Sequence, residues 1–348
     1  MVEISVLIPS HNVEKYIREC LDSIVNQTFE DMEIICVDDG STDSTLNILN
    51  EYALKDSRMR VYENKENKGV GYTRNYLLSL AKGKYIYFMD SDDYLELDAF
   101  EKIYKLAEEK RLDMALFKVQ HFNDKTKKEF ESTYTDMNYL EREFGDRVFS
   151  FEDVKEFAVE ICVNLPGKLL RRELIRDIKF PNGIVYEDNP FFLEVMIKTK
   201  RAYFLREYLY HKRLREESIT TTNAESRLDF IYILEFMKDV AKRYDLYEEL
   251  MPYILQYYIR SNQYMIRRLG IKTRSKYFKQ MKECYMSQKN EFEGFRDDIF
   301  YMYQSMFDSC IESNHYITYE LGIYYRFIKN LKHCLKEIKW EKLMWNKY

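Results

Sequence analysis

The chain has 348 residues, enough for two or three domains and a substantial core. Its net charge of -5 and pI near 5.8 exclude a protein that grips nucleic acid by wholesale phosphate neutralisation. Six scattered cysteines, with no CxxC pair and no close histidine, indicate neither a zinc site nor a disulfide framework. An N-terminus charged at Glu3 and broken at Pro9 does not read as a signal peptide, and no run of about 18 apolar residues marks a membrane span. A cytoplasmic protein is expected.

The first 120 residues repeat one unit. Ile4 to Ile8 reads as a strand ending at Pro9-Ser10-His11-Asn12, with Asn12 an expected N-cap for a helix that places Ile17, Cys20, Leu21 and Ile24 on one face. Met32 to Val37 is the next strand, ending at Asp38-Asp39-Gly40-Ser41-Thr42-Asp43 before a helix with Leu46, Leu49 and Ala53. Arg60-Val61-Tyr62 precedes Asn67-Lys68-Gly69-Val70-Gly71 and a helix carrying Arg74 and Asn75. Tyr85-Ile86-Tyr87-Phe88-Met89 reads as a strand buried on both faces and runs into Asp90-Ser91-Asp92-Asp93. A helix with Phe100, Ile103, Tyr104 and Ala107 leads to a fifth strand at Met114 to Phe117. Strands alternating with helices across short connections predict a parallel, doubly wound α/β sheet.

Ligands bind such a sheet beyond the carboxyl ends of its strands. Three of those ends carry polar clusters: Pro9 to Asn12, Asp38 to Asp43 and Asp90 to Asp93. Each alone fits an ordinary turn or cap, where aspartate is common. Three converging clusters are harder to explain that way. The glycine fingerprint of a dinucleotide site and the P-loop are both missing after the first strand. Three carboxylates within four residues repel one another, and their hard oxygens suit a divalent ion such as Mg2+ or Mn2+.

These motifs, in this order and at this spacing, resemble the signatures of family 2 glycosyltransferases with the GT-A fold. The resemblance runs from residue 1 to about 220. It implies a nucleotide-sugar donor, most often a UDP-sugar, a divalent metal and inversion at the anomeric carbon. Carried over by motif, Pro9 and Asn12 would border the nucleoside, Asp39 with Asp38 would contact the base, and Arg74 would lie near the nucleotide. Asp90 and Asp92 match the family's D-x-D element around Ser91; Asp90 would face the ribose or the metal, Asp92 would ligate the metal, and Asp93 would support them. The acceptor implied is a glycan or lipid-linked hydroxyl, as in cell-surface polysaccharide or glycoconjugate synthesis.

Phe180 to Pro190 is turn-rich, and Glu187-Asp188 opens an apolar helix of Phe191, Phe192, Val195 and Met196. As an isolated pair these acids read as residues favoured by the helix dipole. Their place resembles the family's Glu-Asp motif, which makes Asp188 the general base and Glu187 its support. His211, in Tyr210-His211-Lys212-Arg213, resembles a histidine that completes the metal shell in some relatives, and the basic residues around it and near Ser218 to Thr220 would cover a bound diphosphate. Lys168 reads as a solvated surface charge, although it lies where an acceptor would approach.

From about residue 221 to 348 apolar residues such as Phe230, Ile233, Leu234 and Met237 recur at helical spacing, which predicts a mostly helical accessory domain whose Tyr and Met stripes form a core. The segment 331–348 interleaves five lysines with Trp340 and Trp345. That pattern fits an anionic membrane surface, or packing on the protein or on a second subunit, and packing is the preferred reading. Two other functions compete. A nucleotidyltransferase would show a glycine-rich basic loop after the first strand, where this chain has Pro9 to Asn12, and a retired, non-catalytic scaffold would have lost part of the carboxylate set, all of which is present.

Overall fold

The structure is a computed structural model that describes residues 2–132, 137–161, 163–215 and 226–330. The chain divides into two units, one of residues 1–154 and 162–216, the other of residues 155–161 and 217–348. Residues 218–220 and 331–348, which carried sequence expectations, lie outside the described residues.

In the first unit β1 (Ile4–Ser10), α1 (Ile17–Val25), β2 (Met32–Asp39), α2 (Thr45–Ala53), β3 (Met59–Asn64), α3 (Val70–Leu80) and β4 (Tyr85–Phe88) follow in alternation. The four strands pair in parallel in the order β3-β2-β1-β4. β2 and β4 are buried along their whole length, as runs covered on both faces must be. The predicted face of α1 is the one buried, with Ile17, Cys20, Leu21 and Ile24 in the core.

Beyond β4 the sheet changes sense. β5 (Tyr94–Leu95), α4 (Ala99–Glu109), β6 (Met114–Asn123), β7 (Glu129–Phe130), α5 (Asn138–Phe144), α6 (Phe151–Val154), β8 (Lys168–Arg171), α7 (Arg172–Ile175), α8 (Asp188–Lys198) and β9 (Ala202–Leu214) complete the unit. Among the described residues the order continues β4-β8-β6-β9-β5, with β8 antiparallel to both neighbours and β6 parallel to β9. The sheet is therefore mixed, with a parallel half that carries the three polar clusters at its strand ends.

Two local expectations fail. Asn12 is not the cap of α1, which starts at Ile17; it sits at φ 50 and accepts from the Thr42 amide at 2.8 Å, so it ties the β1 and β2 loops together. Lys168 is not a surface charge. It is buried on β8, with its ammonium on the Asn164 carbonyl and 4.7 Å from the centre of the Phe192 ring.

The second unit is helical: α9 (Ile233–Arg243), α10 (Tyr247–Arg267), α11 (Ile271–Ser287), α12 (Lys289–Gly294), α13 (Tyr301–Glu312) and α14 (Tyr316–Lys329), with short 3-10 turns at Lys155–Glu160 and Ser226–Tyr232. Several of its tyrosines are core residues, and two of their hydroxyls find internal partners: Tyr277 donates to Asn262 and Tyr258 to the Ile231 carbonyl, both at 2.6 Å.

Candidate active site

The β1 and β2 ends form one cross-linked rim. The Asn12 amide donates to Ser41 Oγ at 3.0 Å, and His11 Nδ1 donates to the Asp39 carbonyl at 2.9 Å. Gly40 turns this rim at φ 67, and a side chain there would meet the Glu66–Asn67 backbone at 2.7 Å, so a larger residue would push the two loops apart. Asp39 is nearly fully buried and holds the loop before α3, accepting from Asn64 Nδ2 at 2.7 Å and from the Lys68 and Gly69 amides at 2.9 Å. Asp38 accepts from the Ser41 amide at 2.9 Å through Oδ2, while its Oδ1 and the neighbouring Ser10 Oγ are buried without a partner. Pro9 lies opposite Val37 in the sheet, one step before this rim.

Where β4 ends, the three carboxylates separate by role. Asp90 accepts from Arg74 Nη2 at 3.3 Å and from Lys212 Nζ at 3.1 Å. Burial alone would raise its pKa, but the charges of Lys212 and Arg74 outweigh it and hold Asp90 below the ordinary carboxylate range. The same carboxylates keep Lys212 firmly protonated despite its own burial. Asp92 pairs with Arg215 at 2.7 Å. Asp93 points inward, accepting from the Tyr210 hydroxyl and, at 2.7 Å, from the Arg213 amide; burial and the charge of Asp92 lift its pKa well above the usual value. It pins β9 to the turn. Ser91 is buried between them. The positive charge that such a cluster demands is thus drawn from α3 and from β9 and its end.

His211 goes elsewhere. It lies between Tyr210 and Lys212 on a strand, where successive side chains take opposite faces. Its ring stacks on Tyr94 at 4.4 Å, and Nε2 meets Glu96 Oε1 at 2.6 Å. In this structure His211 is engaged by Glu96 and Tyr94, and among the described residues it is not gathered with Asp90 and Asp92 into a metal site. Among the described residues no group of three or more His, Cys, Asp or Glu side chains is disposed as an all-protein metal cage. Asp90 and Asp92 nonetheless fit a hard ion of the Mg2+ kind, which takes one or two carboxylates and fills its remaining positions with phosphate oxygens and water.

The acid pair joins the same network. Arg74, nine-tenths buried, reaches Glu187 with Nη1 as it reaches Asp90 with Nη2. Burial lifts Glu187 to about 7; the like charge of Asp188 adds to this and Arg74 opposes it. Asp188 opens α8 half-buried, accepts from Asn189 Nδ2 at 3.0 Å, and is likewise raised, chiefly by burial. Sequence reasoning placed Arg74 only near the nucleotide, left Lys212 as a member of a basic run and did not single out Arg215. Their partners lie 16 to 123 positions away, beyond any local pattern.

The family model described as glycosyl transferase family 2 matches residues 5–178. The chain belongs to this family. Among curated relatives, the poly(ribitol-phosphate) beta-glucosyltransferase of Bacillus spizizenii is 36% identical over 62% of this chain and 33% of its own length. Glycosyltransferase GlyA of Streptococcus pneumoniae is 32% identical over 63% of this chain and 31% of its own length. The chain spans about a third of the length of these two proteins. The crystal structure of Staphylococcus aureus TarS residues 1–349 in complex with UDP-GlcNAc aligns over 88% of this chain and 87% of that one, with a TM-score of 0.68 and 21% identity. That likeness establishes the GT-A architecture expected from the motifs. The family match stops before Glu187 and Asp188, so their part in the site rests on the family's acid motif and on the Arg74 bridge seen here.

Proposed function

We propose that the chain is an inverting glycosyltransferase that moves a sugar from a nucleotide-sugar, with UDP as the nucleotide, to a hydroxyl of a cell-surface glycan of the teichoic-acid or polysaccharide kind. The observation that carries this is the single Arg74 guanidinium shared by the acidic turn after β4 and the acid pair at the start of α8. It links a donor-binding element to a base. The relatives support the substrate class: a poly(ribitol-phosphate) beta-glucosyltransferase, the minor teichoic acid biosynthesis protein GgaB of Bacillus subtilis, and TarS bound to UDP-GlcNAc.

In this reading Pro9, Asn12 and the Asp38–Asp39 turn border the nucleoside, and the diphosphate lies over Asp90, Ser91 and Asp92. Asp188 accepts the proton of the acceptor hydroxyl. As that O–H bond breaks, the oxygen attacks the anomeric carbon from the face opposite the diphosphate, the bond from that carbon to the phosphate oxygen breaks, and the nucleoside diphosphate leaves. One displacement inverts the configuration. A carboxyl raised by burial is a stronger base than an exposed one, which suits Asp188 to a weakly acidic hydroxyl. Lys212, Arg215 and Arg74 are the cations of this chain able to balance charge on the departing phosphates. A divalent ion, for which Asp92 and Asp90 are the ligands, would supply further charge stabilisation there. A mannosyltransferase of the same fold from Pyrobaculum calidifontis, with a TM-score of 0.50 and 15% identity, is described with GDP-Man and Mn2+, which supports Mn2+ or Mg2+ for this chain.

The acceptor and its setting are part of the same proposal. Among the described residues no helix is long and apolar enough to cross a membrane, and a glycan or lipid-linked hydroxyl would approach on the side of Asp188. The test is a thermal-shift panel of UDP, GDP, CDP and their sugar conjugates, each with Mn2+ and with EDTA, since a ligand that binds the native state raises its stability. A metal-dependent shift with a uridine nucleotide is expected. Asp188→Asn should keep that shift and lose sugar transfer; transfer at the wild-type rate by this variant would remove Asp188 as the base, and absence of a shift with every nucleotide would remove the donor site.

A further inference from the structure

The loop that delivers the acid pair is strained and tied to α3 near its start. Tyr186, directly before Glu187, sits at φ 74, a conformation that an aromatic residue adopts only when its surroundings impose it. At its C-terminal end the loop is held by α8, where the Asn189 amide and side chain donate to the Tyr186 carbonyl at 3.1 and 3.2 Å, and at its N-terminal end by α3. Asn75 closes a two-bond clasp on one backbone residue of the loop: its Nδ2 donates to the Phe180 carbonyl at 2.9 Å, and its Oδ1 accepts from the Phe180 amide at 2.9 Å. One turn earlier, Gly71 lies so close to the loop that a side chain there would fall 2.2 Å from the Pro181 carbonyl oxygen and 3.4 Å from Glu187 Cγ. Between them Arg74 takes Glu187.

The clasped residue is also the loop's anchor. The Phe180 ring stacks on Phe191 of α8 at 3.8 Å and meets Phe88 of β4 edge-on at 5.5 Å. It is thereby wedged between the strand that carries Asp90 and the helix that begins at Asp188. A displacement of Phe180 is transmitted to both.

We infer that Asn75 is a positioning residue for the base: its side-chain amide fixes the strained segment 180–187, and through it the place of Asp188 relative to the donor turn. The inference rests on the proposed reading of Asp188 as general base. Asn75 does not reach the reacting atoms, so its effect is on geometry, and a misplacement on the order of 1 Å is enough to cost about a hundredfold in rate.

The experiment compares wild type, Asn75→Ala and Asn75→Asp. The aspartate variant keeps an acceptor for the Phe180 amide but offers the Phe180 carbonyl no donor when ionised. The readouts are kcat and donor KM for sugar transfer, and hydrogen exchange across 180–187. Expected are a fall in kcat of about 10- to 100-fold with donor KM changed less than about threefold, a smaller fall for Asn75→Asp, and faster exchange confined to 180–187. Wild-type kcat in Asn75→Ala would overturn the inference. So would an equal fall in kcat and donor affinity with faster exchange throughout the unit, which is the signature of a residue that merely supports the fold. Asp188→Asn run alongside separates the two levels: wild-type transfer by that variant removes the base reading, while the exchange of 180–187 still decides whether Asn75 holds the loop.

Discussion

Replacing Glu187 by Gln isolates the most unusual carboxyl of the site. Burial and the neighbouring Asp188 lift Glu187 from an ordinary 4.5 to about 7 in the folded protein. Between those two values the folded state keeps a proton that the unfolded chain has released, so unfolding sheds a proton and stability falls as pH rises through the window. Above 7 the group is ionised in both states and the full penalty is present. The displacement corresponds to about 3 kcal/mol at 1.36 kcal/mol per pH unit. Because Glu187 and Asp188 titrate together, this loss belongs to the pair. Glutamine cannot ionise and carries no such penalty; the attraction of Arg74 for the ionised carboxylate is already contained in the net upward displacement. Reversible urea unfolding of both proteins at pH 5, 6, 7 and 8 reads the difference directly. The stability gap between Glu187→Gln and wild type should move in the variant's favour by about 2.5 kcal/mol from pH 5 to pH 8, most of the full displacement. A gap that stays constant over that range would refute the reasoning, because it would mean that Glu187 titrates alike in both states.

Two further substitutions probe the charges around it. Arg74→Leu leaves Glu187 and Asp90 without their shared partner, and breaking a buried pair costs about 3–5 kcal/mol, or roughly 6–20 °C in melting temperature for a unit of about 200 residues; Arg74→Lys, with one ammonium in place of a fork, should recover only part of it, and a melting curve like wild type for Arg74→Leu would contradict the bridge. Lys212→Met removes a cation that faces Asp90 and Asp93, and should weaken UDP binding by about 1–3 kcal/mol while reducing its dependence on salt. Titration calorimetry at two salt concentrations measures both, and an unchanged affinity would exclude Lys212 from the diphosphate site.

The parallel half of the sheet was legible because its strands are covered on both faces. Ile4 to Ile8 and Met32 to Val37 are apolar apart from Ser5 and Glu33, Tyr85 to Met89 is wholly apolar or aromatic, and the polar turns that follow them stand out by contrast. β9 was not legible. Its thirteen residues mix Arg206, Glu207, Lys212 and Arg213 with aromatic residues and show no clean alternation. The register also shifts around Lys118 where β9 meets β6. Lys212 is matched by Asp90 and Asp93, Arg213 by Asp124 and Glu19, Arg206 by Asp146 and Glu207 by Lys102, none of them nearby in sequence. Lys168 misled for the same reason, since a carbonyl four residues earlier and an aromatic ring replace its water. His211 lies against Tyr94 and Glu96, while Tyr210 and Lys212 on either side of it reach Asp93 and Asp90.

The distribution of those charges bears on how the site is assembled. An acidic turn after β4 is a local feature, but three carboxylates in four residues remain together only if cations come to them, and here they come from Arg74 on α3 and from Lys212 and Arg215 on and after β9. Asp93 binds that second source in place, because it accepts from Tyr210 and from the Arg213 backbone while lying buried. β9 in turn cannot be separated from the sheet, where it runs beside β6 over ten paired residues and carries β5 on its other side. The acidic turn and the acid pair share one set of counter-charges set by the fold, and in the proposed reaction such fixed charges would stabilise the transition state without reorganising to do so.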